Sequence, residues 1–144
     1  DAKAVLLSID GRQQDEGGEE EKIRLMTTGK LFSIPDGFRI EYEETSPDSV
    51  QGCQVTMELY AQRVVMQREG ELVTHMVFEK NQRFAGEYQT PFGTLEMGIY
   101  ATDVQIHMTE NGGNVRLSYQ LDLQGQYSAM HWLDVQVQPQ GVVG

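Results

Sequence analysis

The sequence has one cysteine, one tryptophan and three histidines in 144 residues, and its 11 Lys and Arg are outnumbered by 22 Asp and Glu. Each scarcity excludes something. Cys53 alone cannot close an internal disulfide. Its setting, "GCQ", offers no second Cys or His at ligand spacing, so a reduced thiol on a strand is expected. A net charge of −11 repels phosphate backbones and anionic membrane surfaces, which argues against nucleic-acid or membrane partners. No apolar run approaches the roughly 20 residues of a membrane-spanning helix, and the opening "DAKAVLLSID" lacks a basic stretch leading into a long apolar segment. These absences point to a soluble cytoplasmic protein, acting as a monomer or homodimer. That expectation covers only the residues seen, since the chain starts at Asp1 rather than Met.

Catalytic signatures are missing as well. There is no Gly-x-Ser-x-Gly, no Gly-x-x-x-x-Gly-Lys and no Gly-x-Gly-x-x-Gly; the nearest candidate, "ENGGNVR", reads as a hairpin turn. His75, His107 and His131 fall on three different strands with no second ligand at metal spacing, so neither a metal site nor a cofactor is expected. His75 is out of phase with Leu72, Met76 and Phe78 and is expected to face outward. Glu41 and Glu43 share the face opposite Ile40 and Tyr42, where water keeps carboxyl acidity ordinary and makes a poor proton donor at neutral pH. The acidic stretch "DEGGEEE" reads as a solvated loop and lacks the alternating oxygen ladder of a calcium loop.

What the chain does have is period-two alternation from end to end. Val5, Leu7 and Ile9 share a face, as do Ile23, Leu25 and Thr27, then Phe38, Ile40 and Tyr42, then Val55, Met57 and Leu59. The pattern continues through Leu72, Met76 and Phe78, through Val115 to Leu123, and through Leu133, Val135 and Val137. Turn signals separate these runs: Gly17-Gly18, Pro35-Asp36-Gly37, Ser46-Pro47-Asp48, Glu69-Gly70, Asn81-Gln82, Pro91-Phe92-Gly93, Asn111-Gly112-Gly113 and Gln124-Gly125. Short connections make consecutive strands antiparallel neighbours. The expectation is an all-β fold: one domain over residues 1–144, a closed or nearly closed antiparallel up-and-down barrel of about 8–10 strands, since closure removes exposed edges.

Three local features refine this picture. "MELYAQRVVMQRE" can also be read with a helical stripe, but the adjacent Val64 and Val65 favour a hairpin centred near Ala61-Gln62. Leu95, Met97, Ile99 and Ala101 are in the opposite phase to Val104, Ile106 and Met108, which predicts a β-bulge around Ala101 to Asp103. A similar slip is predicted between Thr27 and Phe32, absorbed at Gly29.

The segments "TTGKLFSIPDGFRIEYEE", "VVMQREGE", "YQTPFGTLEMGIYATDVQI" and "NVRLSYQLDLQG", in that order, resemble the YwiB-like family of uncharacterised bacterial proteins over roughly Val5 to Val137. The resemblance rests on Thr28-Gly29, Tyr42, Glu44, Arg68 with Gly70, Tyr88 with the Thr90 to Gly93 turn, and Tyr119. It implies a calycin-like barrel related in shape to lipocalins and fatty-acid-binding proteins, and it brings no activity. The lipocalin Gly-x-Trp is absent: the first strand ends "SIDGRQQ" and the only tryptophan is Trp132 near the other terminus.

Four residues keep the apolar phase without being purely apolar: Arg68, Tyr42, Tyr88 and Tyr119. Pointing inward together, a guanidinium fork and phenols would receive a carboxylate or phosphate, with Met57, Met66, Met76 and Met97 as adaptable walls for an amphiphilic tail. The commoner arrangement in small barrels is a filled interior, in which Arg68 reaches the rim and pairs with Glu44 while the tyrosines pack. A barrel binding a small amphiphilic or anionic ligand, a solid-core interaction or structural module, and an enzyme are therefore the three functional readings. Thr90-Pro91-Phe92-Gly93 reads as a type I turn with Gly93 left-handed and a bulge. Phe92 is expected to cap one barrel end or pack on a loop, the alternative being a gate or partner contact.

Overall fold

The computed structural model describes residues 2–44, 52–70 and 73–141, and every regular element among them is a β-strand. Ten follow in order: β1 (Ala2–Asp15), β2 (Glu20–Ile34), β3 (Gly37–Glu44), β4 (Cys53–Leu59), β5 (Arg63–Glu69), β6 (Val73–Glu79), β7 (Arg83–Thr90), β8 (Gly93–Thr109), β9 (Gly112–Leu123) and β10 (Gln126–Pro139). Each pairs antiparallel with its sequence neighbours, and β10 returns to β1 in register from Val5↔Pro139 to Asp15↔Ala129. That last ladder closes the barrel and removes the two terminal edges an open meander would leave unpaired. The all-β, up-and-down expectation thus holds, at ten strands.

Alternation places the core. Val5 and Leu7, Ile40 and Tyr42, Val55 and Met57, Val64 and Met66, Phe78, Val115 and Val135 all lie inside and are essentially inaccessible to water. The segment that allowed a helix is the β4–β5 hairpin, closed by the Tyr60 N–H donating to the Arg63 carbonyl at 2.9 Å. The predicted bulge is present: β8 pairs with β9 through Ala101↔Tyr119, then resumes at Asp103↔Ser118. Thr102 is the extra residue, anchored by its hydroxyl 2.8 Å from the Ser118 hydroxyl, so Ala101 and Val104 both reach the interior.

The slip expected at Gly29 does not occur. β2 runs without a register shift, and Leu31, not Phe32, continues its inward row at 3% exposure. Phe32 lies outside with the Arg39 guanidinium 4.5 Å above its ring, which accounts for an aromatic in the polar phase. Gly29 serves close packing instead: a Cβ there would stand 2.7 Å from the Glu41 carbonyl oxygen and 2.9 Å from Leu7 Cδ1.

The Thr-Pro-Phe-Gly turn is shorter than expected. Thr90 pairs directly with Gly93, whose φ is 130°, leaving Pro91 and Phe92 as the connection. The Thr90 hydroxyl accepts from the Phe92 N–H at 3.1 Å and donates to the Gly93 carbonyl at 2.9 Å. Thr109-Glu110-Asn111-Gly112 repeats the device, with Thr109 accepting from Asn111 N–H at 3.1 Å and donating to the Gly112 carbonyl at 3.2 Å. Phe92 itself is 99% exposed and caps nothing, because a two-residue connection on Pro91 aims it away from the barrel. Leu72 and the Ser46-Pro47-Asp48 turn lie outside the described residues.

Candidate functional site

The barrel wall is parted on one side. β2 and β3 pair only from Ile34↔Gly37 to Gly29↔Tyr42. Beyond that point β3 stays with β4, through Glu43↔Gln54 and Glu44↔Cys53, whereas Glu20 to Thr28 of β2 stay with β1. Among the described residues, this stretch of β2 therefore has a ladder on one side only. Behind the split lies a cavity of about 560 Å³, inside the ~300–1,000 Å³ range of small-molecule sites. One lip carries Glu21, Ile23 and Leu25, the other Glu44 and Arg68; Tyr119 and His131 form the far wall, and Ile9, Gly11 and Leu133 lie between.

The split explains an otherwise odd residue. Ile23 keeps the inward phase of Leu25, yet it is 66% exposed, because the wall that would cover it has turned away. Gly11, cross-strand from both Ile23 and Leu133, leaves open space: no heavy atom lies within 4 Å of where its Cβ would stand.

The polar groups of the cavity gather where strand phase brings them inward. Arg68 continues the row of Val64 and Met66, and its Nη2 stands 3.4 Å from Glu44 Oε2, with roughly a third of each side chain exposed. Its Nε is buried and has no hydrogen-bond partner. Burial works against the Arg68 charge, but Glu44, Tyr42 and Tyr119 outweigh it and hold the pKa above its ordinary value. Tyr42, 4% exposed, has its phenol pushed up to about 12 chiefly by burial, with nearby Arg68 pulling the other way. Burial likewise raises the half-buried Cys53 thiol. Tyr119 is raised by burial too; its ring stacks on His131 at 4.9 Å, nearly parallel, and packs against Phe78 at 4.7 Å. Burial lowers the His131 pKa, so the imidazole is neutral at pH 7, and its Nε2 is buried without a partner.

Of the four residues singled out from the sequence, three come together. Arg68, Tyr42 and Tyr119 are electrostatic neighbours, Arg68 and Tyr119 lining the cavity and Tyr42 packed in the core beneath. Tyr88 does not join them. It sits two strands away, cross-strand from Thr74, which in turn faces Arg68. The four methionines expected as walls, Met57, Met66, Met76 and Met97, are all buried in the filled part of the core and line no part of the cavity. The barrel thus combines two arrangements that seemed exclusive: the Arg68–Glu44 pair exists at the rim, and a cavity lies beside it.

His131 was not singled out as a site residue, although it keeps the period of Leu133, Val135 and Val137 and could have been found that way. His75 and His107 are exposed, as expected for the first, and among the described residues no cluster of three or more His, Cys, Asp or Glu could hold a metal ion. Among the described residues no helix is long and apolar enough to cross a membrane.

A wider concavity of about 750 Å³ lies across the outer face of β8, β9, β10, β1 and β2. Much of its polar wall is already paired, Arg24 with Asp10 at 2.7 Å and Arg116 with Asp134 at 3.2 Å, and the Arg12 guanidinium covers the Trp132 ring at 4.0 Å. The interior cavity, with unpartnered buried atoms, is the stronger candidate.

A closed ten-stranded antiparallel barrel with a lateral cavity defines the protein by architecture rather than by chemistry. The chain belongs to the family described as Domain of unknown function (DUF1934), the match running over residues 7–135. Its fold is that of the crystal structure of the ywiB protein from Bacillus subtilis, to which it is 18% identical with a TM-score of 0.85, over 96% of this chain and 92% of that one. At that identity the likeness carries the fold and nothing of ligand or activity. The motifs quoted from the sequence pointed to the same family. No curated protein matches the chain.

Proposed function

We propose that the barrel binds a small amphiphilic anion in the cavity behind the β2–β3 split. The observation that carries this reading is a cavity of about 560 Å³ lined by both Arg68 and His131, each of which has a buried nitrogen, Nε and Nε2, without a hydrogen-bond partner. Leaving such a polar atom unsatisfied costs about 1–3 kcal/mol, which a ligand oxygen at Arg68 would recover. Glu44 meets the guanidinium at Nη2 and leaves Nε without a partner, and Ile9, Ile23, Leu25 and Leu133 offer an apolar wall for a tail. A filled barrel working through its surface, or an enzyme, lacks a comparable observation.

Isothermal titration with decanoate and decyl sulfate, set against decanol, tests the reading. Saturable binding of an anion to the wild type, and at least about tenfold weaker binding to Arg68→Met, is the expected result, since a charge-assisted hydrogen bond contributes roughly 1.5–3 kcal/mol. Absence of saturable binding for both anions, or unchanged affinity in Arg68→Met, would overturn it.

A further inference from the structure

The cavity is bounded on one side by something more specific than an apolar wall: a strand edge. Glu20 to Thr28 of β2 are paired with β1 through Gln14↔Glu20 to Leu6↔Thr28, while the β3 ladder stops at Gly29↔Tyr42. Backbone N–H and C=O groups along the other side of this stretch have no ladder partner among the described residues. Such an edge recognises the amides of an extended chain, because each added residue supplies the complementary donor and acceptor at strand spacing. An alkyl tail would leave these groups to water; a peptide would pair them.

The side chains on either side of the edge agree with this. Ile23 and Leu25 face the cavity from the inner side of the strand, and Met26, 63% exposed, stands on the outer side. An extended peptide lying along this edge would alternate in the same way, sending one apolar side chain toward Ile9, Leu25 and Leu133 and the next toward Met26. Across the split, Arg68 lines the same cavity.

The charges limit the head group. Arg68 is the one cation among the cavity residues outside the β1–β2 hairpin, and it is shared with Glu44, with Glu21 on the opposite lip. Arg12 and Arg24 are engaged by Glu20 at 3.5 Å and Asp10 at 2.7 Å. A ligand carboxylate would share Arg68 with Glu44, and each further negative charge would add repulsion from Glu44 and Glu21, so a monoanion is favoured over a dianion. His131, neutral at pH 7, adds a hydrogen-bonding nitrogen and no charge.

The geometry points to a short apolar peptide with a free C-terminal carboxylate as the ligand class, its backbone amides pairing with the β2 edge and its carboxylate meeting Arg68. This rests on the anion-binding reading and narrows it. The test uses the wild-type protein and four ligands: trileucine, trileucine amide, trileucine N-methylated at its backbone amides, and decanoate. Titration is expected to show trileucine binding, with about tenfold or greater loss both for the amide, which lacks the charge, and for the N-methylated form, which lacks the edge hydrogen bonds. Hydrogen exchange, read residue by residue, should slow at the edge-facing amides between Glu20 and Thr28 with trileucine and not with decanoate. Equal affinity of the N-methylated and unmethylated peptides, or equal protection by decanoate, overturns the inference. If decanoate binds and trileucine does not, the peptide inference falls and the amphiphile reading stands; if neither decanoate nor decyl sulfate nor trileucine binds, both fall.

Discussion

Replacing Gly29 by Ala tests whether β2 and β3 are held together at the apex of the split by close backbone packing. The added Cβ would sit 2.7 Å from the Glu41 carbonyl oxygen, 2.9 Å from Leu7 Cδ1 and 3.2 Å from Tyr42 Cβ. The Leu7 methyl can rotate away. The Glu41 oxygen cannot, because Glu41 is held in register with Lys30 on one side and Thr56 on the other. Relief therefore requires the last β2–β3 pair, Gly29↔Tyr42, to part by a few tenths of an ångström or more. Overpacking of this kind costs about 1–3 kcal/mol, offset by about 0.4–1 kcal/mol because Ala restricts the unfolded chain. The net loss is on the order of 1–2 kcal/mol, or roughly 3–8 °C in Tm for a chain of this size. Gly11→Ala is the matched control: its Cβ meets nothing within 4 Å, so stability should stay level or rise by up to about 1 kcal/mol. Urea denaturation followed by circular dichroism measures both variants under one condition. A Gly29→Ala midpoint equal to wild type, or a Gly11→Ala loss of similar size, would refute the reasoning.

Phe78→Ala removes a fully buried ring that packs 4.7 Å from Tyr119 and should lose about 3–5 kcal/mol in the same denaturation assay. Tyr42 has its folded pKa raised to about 12, above the unfolded value of about 10; its contribution is fully present below pH 10 and lost as pH rises through 12. A Tyr42→Phe variant should therefore show a flatter fall in stability over that alkaline window than wild type. His131 shifts the other way: a folded pKa held below about 6.5 means stability is full above that value and declines as pH falls through the folded pKa. In His131→Phe, which keeps a ring against Tyr119, the Tm profile should lose that acidic slope. Phe92→Ser at a 99% exposed tip should change stability by no more than about 0.5 kcal/mol, whereas Thr90→Val, which deletes both hydroxyl bonds of the turn, should cost about 0.5–1.5 kcal/mol.

The barrel was legible because its signals are local. Period-two alternation is a property of a strand with one wet face, and it marked Val55, Met57 and Leu59 or Val135 and Val137 as inward without any knowledge of their partners. The bulge at Thr102 showed as a change of phase, since an extra residue inverts every side chain that follows. The same logic failed at Gly29, where Phe32 was counted as core: an Arg39 stack makes the outer face hospitable to an aromatic, and alternation does not see what lies across the strand. Phe92 failed for a related reason, since an aromatic in a tight turn is aimed by two backbone residues and not by its hydrophobicity.

Sequence alone determined an antiparallel meander of about 8–10 strands and the shared apolar phase of Arg68, Tyr42 and Tyr119, because strand period and short connections suffice for each. Tertiary structure decided where the wall parts. That β2 leaves β3 at Gly29↔Tyr42 depends on the register of two strands and the path of a third, so the cavity, the exposure of Ile23, the inclusion of His131 and the exclusion of Tyr88 appear only when the barrel is closed. A side chain's phase is a local fact, but the space it faces belongs to the whole sheet.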